Sequence, residues 1–281
     1  MLWGLIQIIF ATLENIFWKK SLDETDLWYG AFHLAWEVIW IIFFIIFFVL
    51  WYIEFDIFND IYSLILIFFV IIIEFSAFYI WQGLYKVNKI SQLLPFENIN
   101  KIFSIIIWFL IFQNNSIYAF IIAVVCFLII LIFSLDLRNF TLPKKLHKIL
   151  TAEFLISLET LLLAHLLLKY SNITISMIWI IFSTILISLF LIDKNDYKKL
   201  FKQSSSFYKN RFIAAVLWWL AYLISLFLIK TLWIISTILL QFLWIWFTII
   251  LSYFILDDKP NKKDIGLSII LTILVWIWLF F

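Results

Sequence analysis

Six carboxylates stand inside long apolar runs of this sequence: Glu14, Glu37, Glu74, Glu97, Glu153 and Glu159. A charge in such surroundings is costly unless it is paired, protonated or facing water, so residues of this kind mark transport pathways or tie helices together. Glu14 shares a stripe with Gln7, Ala11 and Trp18, spaced by three and four, which turns one polar and small helix face inward. Glu159 begins a Leu-Glu-x5-His pattern ending at His165, where the earlier stretch reads Leu-Glu-x5-Lys to Lys20. Two such acids facing one cavity could bind a cation or a proton; each could equally hydrogen-bond a neighbouring helix. His33 and Glu37 lie four apart, the spacing of a proton relay or of a local hydrogen bond. No further His or Cys at ligand spacing accompanies them, so no metal is expected. Glu74, with Gln82 two turns on, either lines a cavity or bonds between helices. Glu97 and Lys101 stand in the order that favours a helical ion pair and read as mutually neutralising structure. Glu153 reads as close enough to a helix start to reach the interface. Gln92 and Asn98, with Ser91, Pro95 and Asn100, make one apolar stretch unusually polar, and Gln241 is a lone similar feature in a later one. No nucleophile stands in a pattern with an activating base, so no catalytic residues and no cofactor are expected.

The elements that must position these residues follow from composition. Of 281 residues, 66% are hydrophobic and 21% aromatic, far above a soluble globular domain, so the bilayer is the expected solvent. A hydrocarbon core of about 30 Å needs about 20 consecutive apolar residues per helix. Charge clusters divide the chain into apolar segments at Leu2–Trp18, Trp28–Leu50, Ile61–Leu84, Ser91–Phe112 and Ile117–Leu135, then Leu150–Leu168, Ile173–Leu191, Phe212–Ile229, Leu232–Leu256 and Ile265–Phe281. The segments are too long for membrane strands and lack period-two alternation. The fold class expected is therefore an all-α integral membrane protein of ten spans. The single Cys126, inside an apolar run, reads as packing. The first twenty residues lack a basic leading region and contain Glu14, so they read as a mature helix rather than a leader.

A shift of 145 residues superposes the two halves without a gap. Leu13-Glu14 falls on Leu158-Glu159, Ile90-Ser91 on Ile235-Ser236, Leu94 on Leu239 and Phe109 on Phe254. The expected organisation is a first repeat over 1–136, a linker over 137–149 and a second repeat over 150–281. Five spans per half, an odd number, require the halves to cross the membrane in opposite senses, the plan of many secondary transporters. Loops after odd-numbered segments carry 17 of the 20 Lys and Arg, against Lys169 and Lys230 after even-numbered ones. That bias places the odd loops in the cytoplasm and both termini outside a cell membrane. The loop over 194–211, with Ser204, Ser205 and Ser206 among its lysines, reads as a solvated cytoplasmic segment near anionic lipid. The net charge of +2 gives no reason to expect a nucleic-acid partner.

With this layout in view, the chain resembles the drug/metabolite transporter superfamily, in its ten-helix EamA-type branch. Asn15 to Lys20 resembles the first-helix pattern of an Asn followed five residues on by Lys, Leu84-Tyr85-Lys86 to Pro95 the turn into a fourth helix with a central Pro, and Asp257 to Gly266 the acidic residue and later Gly joining the last two helices. Phe112, Leu13-Glu14 and Leu240 differ from that pattern. Glu14 is also similar to the membrane Glu of the related four-helix multidrug branch. The resemblance implies alternating-access transport of a small organic solute. It also implies cytoplasmic termini, opposite to the charge count. The function expected is a secondary transporter, an exporter of a small, cationic or amphiphilic solute, coupled to protons or passive. Its partners are that solute, the lipid bilayer and protons. Uptake of a neutral metabolite and an intramembrane lipid-modifying enzyme are the alternatives.

Overall fold

Inside a bilayer no water reaches the backbone, so N–H and C=O groups must be satisfied within the chain, by helices or by a closed sheet. This protein uses helices. Its structure, a computed structural model, describes residues 2–27, 31–35, 39–41, 55–89, 93, 96–97, 99–112, 117–134, 144–192, 194–232, 244–257, 259–260 and 262–280. Those residues are about 89% helical, with no strand among them.

Among the described residues, four helices are long and apolar enough to cross a membrane: Ile61–Val87, Lys145–Leu166, Asn172–Phe190 and Ser205–Leu228. Shorter apolar helices lie at Ile99–Ile111, Phe120–Ile132, Trp246–Leu256 and Ile265–Leu274. The faces turned outward are themselves apolar. On the Ile117–Ser134 helix, Ile117, Ile121, Val125, Leu128 and Ile132 are exposed at steps of four, four, three and four, while Ala123, Cys126 and Ile130 are buried behind them. On Ile61–Val87, exposed Ile61, Ile65, Phe68, Phe69 and Ile72 back onto buried Ile67, Val70, Ile71 and Glu74. A helix that is hydrophobic on both its packed and its open face fits lipid rather than water. The chain has the architecture of an all-α membrane protein.

Helices outrun several of the apolar segments. The first runs Leu2–Asp23, past the lysines at 19 and 20. Another runs Lys144–Leu166, beginning six residues before the apolar run. A third runs Ser205–Leu232, so the supposed loop over 194–211 contains a helix at Lys194–Leu200 and the start of the next. Charged residues end the hydrocarbon segment, not the helix, because Lys and Arg are good helix formers whose heads reach the interface. The Asn172–Leu186 helix is started by Ser171, whose side chain accepts from the Thr174 N–H, and ends in a single π turn at Ile187–Leu191.

The chain forms two compact units, each drawing on both halves of the sequence: Met1–Ile72 with Leu162–Thr231, and Ile73–Leu161 with Leu232–Phe281. In the first unit an aromatic stack fills the interior, Trp218 lying 4.8 Å from Tyr222 at 7°, 5.7 Å from Trp179 at 25° and 4.4 Å from Trp40. One end of this unit is tied where Glu24 accepts from Ser206 at 2.9 Å and Asn210 at 3.0 Å, and Thr25 donates to Gln203 at 2.8 Å. Another tie is made by Asp60, which accepts from Ser63 at 2.7 Å, Tyr170 at 2.9 Å and Lys169 at 3.4 Å. In the second unit, Ile117–Ser134 packs on Ile99–Phe112 and on Lys262–Phe280. Buried Thr248, Ser252 and Ser268 supply small surfaces for close packing, and the Trp246 indole donates to Thr272 at 2.6 Å.

Candidate functional site

The second unit gathers three charged side chains in its interior. Glu97, Lys101 and Glu153 are 5%, 5% and 1% exposed. Their placement follows from a helix start. Phe96 and Glu97 form a turn in which the Phe96 N–H meets the Leu93 carbonyl at 2.9 Å and the Ile99 N–H meets the Phe96 carbonyl at 3.0 Å. The helix proper begins at Ile99 and exposes the N–H groups that no helix can satisfy in its first turn. Glu153, on the Lys144–Leu166 helix, fills that need, accepting the Asn100 N–H at 3.0 Å at the end where the helix dipole favours an anion. The Trp81 side chain also hydrogen-bonds Glu153. Ser157, one turn further along, donates to the Asn100 carbonyl at 2.6 Å and to the Glu153 carbonyl at 2.7 Å, riveting the two helices. Lys101 lies in the field of Glu153 and of Glu97, and the two acids lie in each other's field. Among the described residues, neither carboxylate oxygen of Glu97 has a hydrogen-bond partner, and the buried Oδ1 of Asn100 has none.

Two carboxylates and one ammonium sum to −1 when all are ionised. In a site shielded from water that charge calls for a proton or a bound cation, since the desolvation penalty of an uncompensated ion is several kcal/mol.

Only part of this site is legible in the sequence. Glu97 and Lys101 were legible as a helical pair, and the third member is a correction. Glu153 is not at a helix start: its helix begins at Lys144, nine residues earlier, and its side chain is buried within the protein. Arg211 is a second correction. It is not part of a solvated loop but completely buried in the first unit, on the Ser205–Leu232 helix. Its Nη2 donates to the Phe32 carbonyl at 3.0 Å, its guanidinium lies 3.8 Å from the Phe32 ring centroid, and Trp18 and Phe207 pack edge-on against that ring. A planar guanidinium, more weakly hydrated than an ammonium, can stack on an aromatic face while donating in its own plane.

The other expected site residues are distributed as follows. Glu14 is buried in the first unit with Gln7 and Trp18, Ala11 being half-buried, so the stripe on that helix does face inward. His33 is buried in the same unit, in the field of Arg211. Glu159 is half-buried in the second unit, where Glu74 and Gln82 are both buried on one helix. Glu37, Gln92, Asn98 and Gln241 lie outside the described residues. Among the described residues no group of three or more His, Cys, Asp or Glu side chains is arranged to hold a metal ion.

Outside the spans, Asp60 is held well below the usual carboxylate range, chiefly by the Ser63 hydroxyl, then by the Ser63 N–H and the Tyr170 phenol. The Tyr170 phenol is pushed up by its partial desolvation and then by its bond to Asp60. These groups anchor a helix start and do not resemble a binding site. No protein-family model matches the chain, and no curated protein matches it.

Proposed function

We propose that this protein is a secondary transporter of a small organic solute, an exporter working by alternating access in the manner of the drug/metabolite transporters it resembles. The observation that carries the reading is the burial of Glu97, Lys101 and Glu153 among apolar helices. Ionisable groups at that depth are expensive, and transport chemistry is the usual reason for their presence. A turn interrupting helical geometry at Phe96–Glu97 adds to it, because transporters place ion and substrate sites where helices are discontinuous.

Two further features support the inverted repeat. Adding 145 to Ile61–Val87, Ile99–Phe112 and Ile117–Ser134 gives 206–232, 244–257 and 262–279, beside the observed Ser205–Leu232, Trp244–Leu256 and Lys262–Phe280. The ties within the first unit have the parity that alternating crossings demand. Glu24, after the first segment, meets Ser206, after the seventh. Asp60, after the second, meets Tyr170, after the sixth. Ten spans, with basic odd-numbered loops in the cytoplasm and termini outside, satisfy both pairings.

Flux into proteoliposomes tests the reading. A panel of cationic and neutral organic solutes, with and without an imposed pH gradient, should show saturable, protein-dependent movement of at least one solute. Rates equal to those of protein-free vesicles across the panel would overturn it.

A further inference from the structure

Within the buried cluster the three charges are not equivalent. Glu153 is provided for: it receives the Asn100 N–H and the Trp81 side chain. The one ammonium, Lys101, lies in the field of both acids and offsets the charge of one. Glu97 is left over. Its side chain is buried, and both of its oxygens lack a donor. Three residues along, the Asn100 Oδ1 is a third buried acceptor without a donor. Among the described residues, the charged groups facing Glu97 are Lys101, on the helix that follows it, and Glu153, on the Lys144–Leu166 helix.

Unfilled acceptors beside a carboxyl group define the chemistry of the missing partner. It must bring N–H or O–H donors, and it must bring one positive charge if the carboxyl is ionised. A proton satisfies the second need, and a protonated amine satisfies both.

We propose that Glu97 is a proton-for-ammonium exchange site, protonated when empty and ion-paired with a monovalent alkylammonium when loaded. On loading, the Glu97 O–H bond breaks, the proton leaves to water, and the carboxylate accepts N–H bonds from the ammonium. The site is neutral before and after, because Lys101 and Glu153 cancel throughout. Glu153 and Ser157 act as positioning residues, fixing the helix start that carries Asn100. This names a substrate class for the transport reading and rests on it, yet exchange at Glu97 is measurable by binding alone.

The test uses the purified full chain in weakly buffered detergent, with n-hexylammonium as probe and a pH indicator alongside calorimetry. Binding should release about one proton per ammonium, with affinity rising about tenfold per pH unit while Glu97 is protonated. Hexyltrimethylammonium, which has the charge and no N–H, should bind at least about tenfold more weakly, as the loss of one charge-assisted hydrogen bond implies. Glu97→Gln should abolish proton release. Infrared difference spectra of the wild-type chain should show loss of a protonated-carboxyl band on loading, a readout that needs no folded variant. Absence of hexylammonium binding, binding without proton release, or proton release unchanged in Glu97→Gln would overturn the proposal. Proton release without any flux in vesicles would instead sink the transport reading and leave the exchange site standing.

Discussion

Replacing Arg211 by Lys keeps the charge and removes the shape. The guanidinium donates to the Phe32 carbonyl at 3.0 Å and lies 3.8 Å from the Phe32 ring, in a fully buried position. A hydrogen bond from a charged donor contributes about 1.5–3 kcal/mol, and a desolvated cation–π contact about 2 kcal/mol. Lysine can recover part of one term but not both at once, because a point-charge ammonium cannot stack flat on a ring while reaching the carbonyl in the same plane. The expected loss is about 2–4 kcal/mol, since such contributions overlap when partners are shared. The two ends of that range are roughly thirtyfold and a thousandfold in the unfolding equilibrium. Reversible unfolding in mixed micelles, followed by circular dichroism, measures it directly. A change within about 0.5 kcal/mol, the range of ordinary surface substitutions, would refute the reasoning and return Arg211 to the solvated loop that its neighbours in sequence suggest.

Leu128 and Ala123 lie on opposite faces of one helix, 50% and 3% exposed. Leu128→Ala should be nearly neutral in a bilayer, whose lipid replaces the lost contacts, while Ala123→Leu should cost about 1–3 kcal/mol by overpacking; equal effects in a steric-trapping assay would deny the lipid-facing stripe. Asp60, depressed chiefly by Ser63, binds fewer protons folded than unfolded, so its contribution is present above the usual carboxylate range and lost as pH falls through and below it. Asp60→Asn should flatten that acid limb of the stability profile, and an unchanged limb would show that the Ser63 and Tyr170 bonds do not act on Asp60 in solution. With Cys126 replaced by Ser, a cysteine at exposed Ser204 should react only with a reagent on the cytoplasmic side and one at exposed Lys169 only with a reagent outside. The reverse pattern would show that the family habit of cytoplasmic termini holds instead.

The slab was legible in the sequence and the helices less so. Hydropathy located Ile61–Leu84 within the observed Ile61–Val87, because burial in lipid demands an uninterrupted apolar run. It placed the start of the Lys144–Leu166 helix six residues late, since lysines that leave the hydrocarbon need not leave the helix. That late start hid Glu153 from the site: an acid three residues into a span reads as interfacial, whereas this one lies nine residues along its helix with its side chain buried. Glu97 and Lys101 declared themselves by their spacing, but their third partner comes from 52 residues beyond Lys101 and could be found only through packing. Arg211 was hidden for a related reason. A run of lysines around a Ser cluster looks solvated, and nothing local marks the one cation that a distant Phe32 takes into the interior.

The most direct test of proton-coupled transport is the driving force for hexylammonium in proteoliposomes under independent control of pH gradient and membrane potential. One proton exchanged for one monovalent cation moves no net charge. The initial rate of accumulation in excess of protein-free and Glu97→Gln vesicles should therefore follow the pH gradient and be indifferent to a potassium–valinomycin potential. Accumulation that follows the potential and ignores the pH gradient would contradict the account.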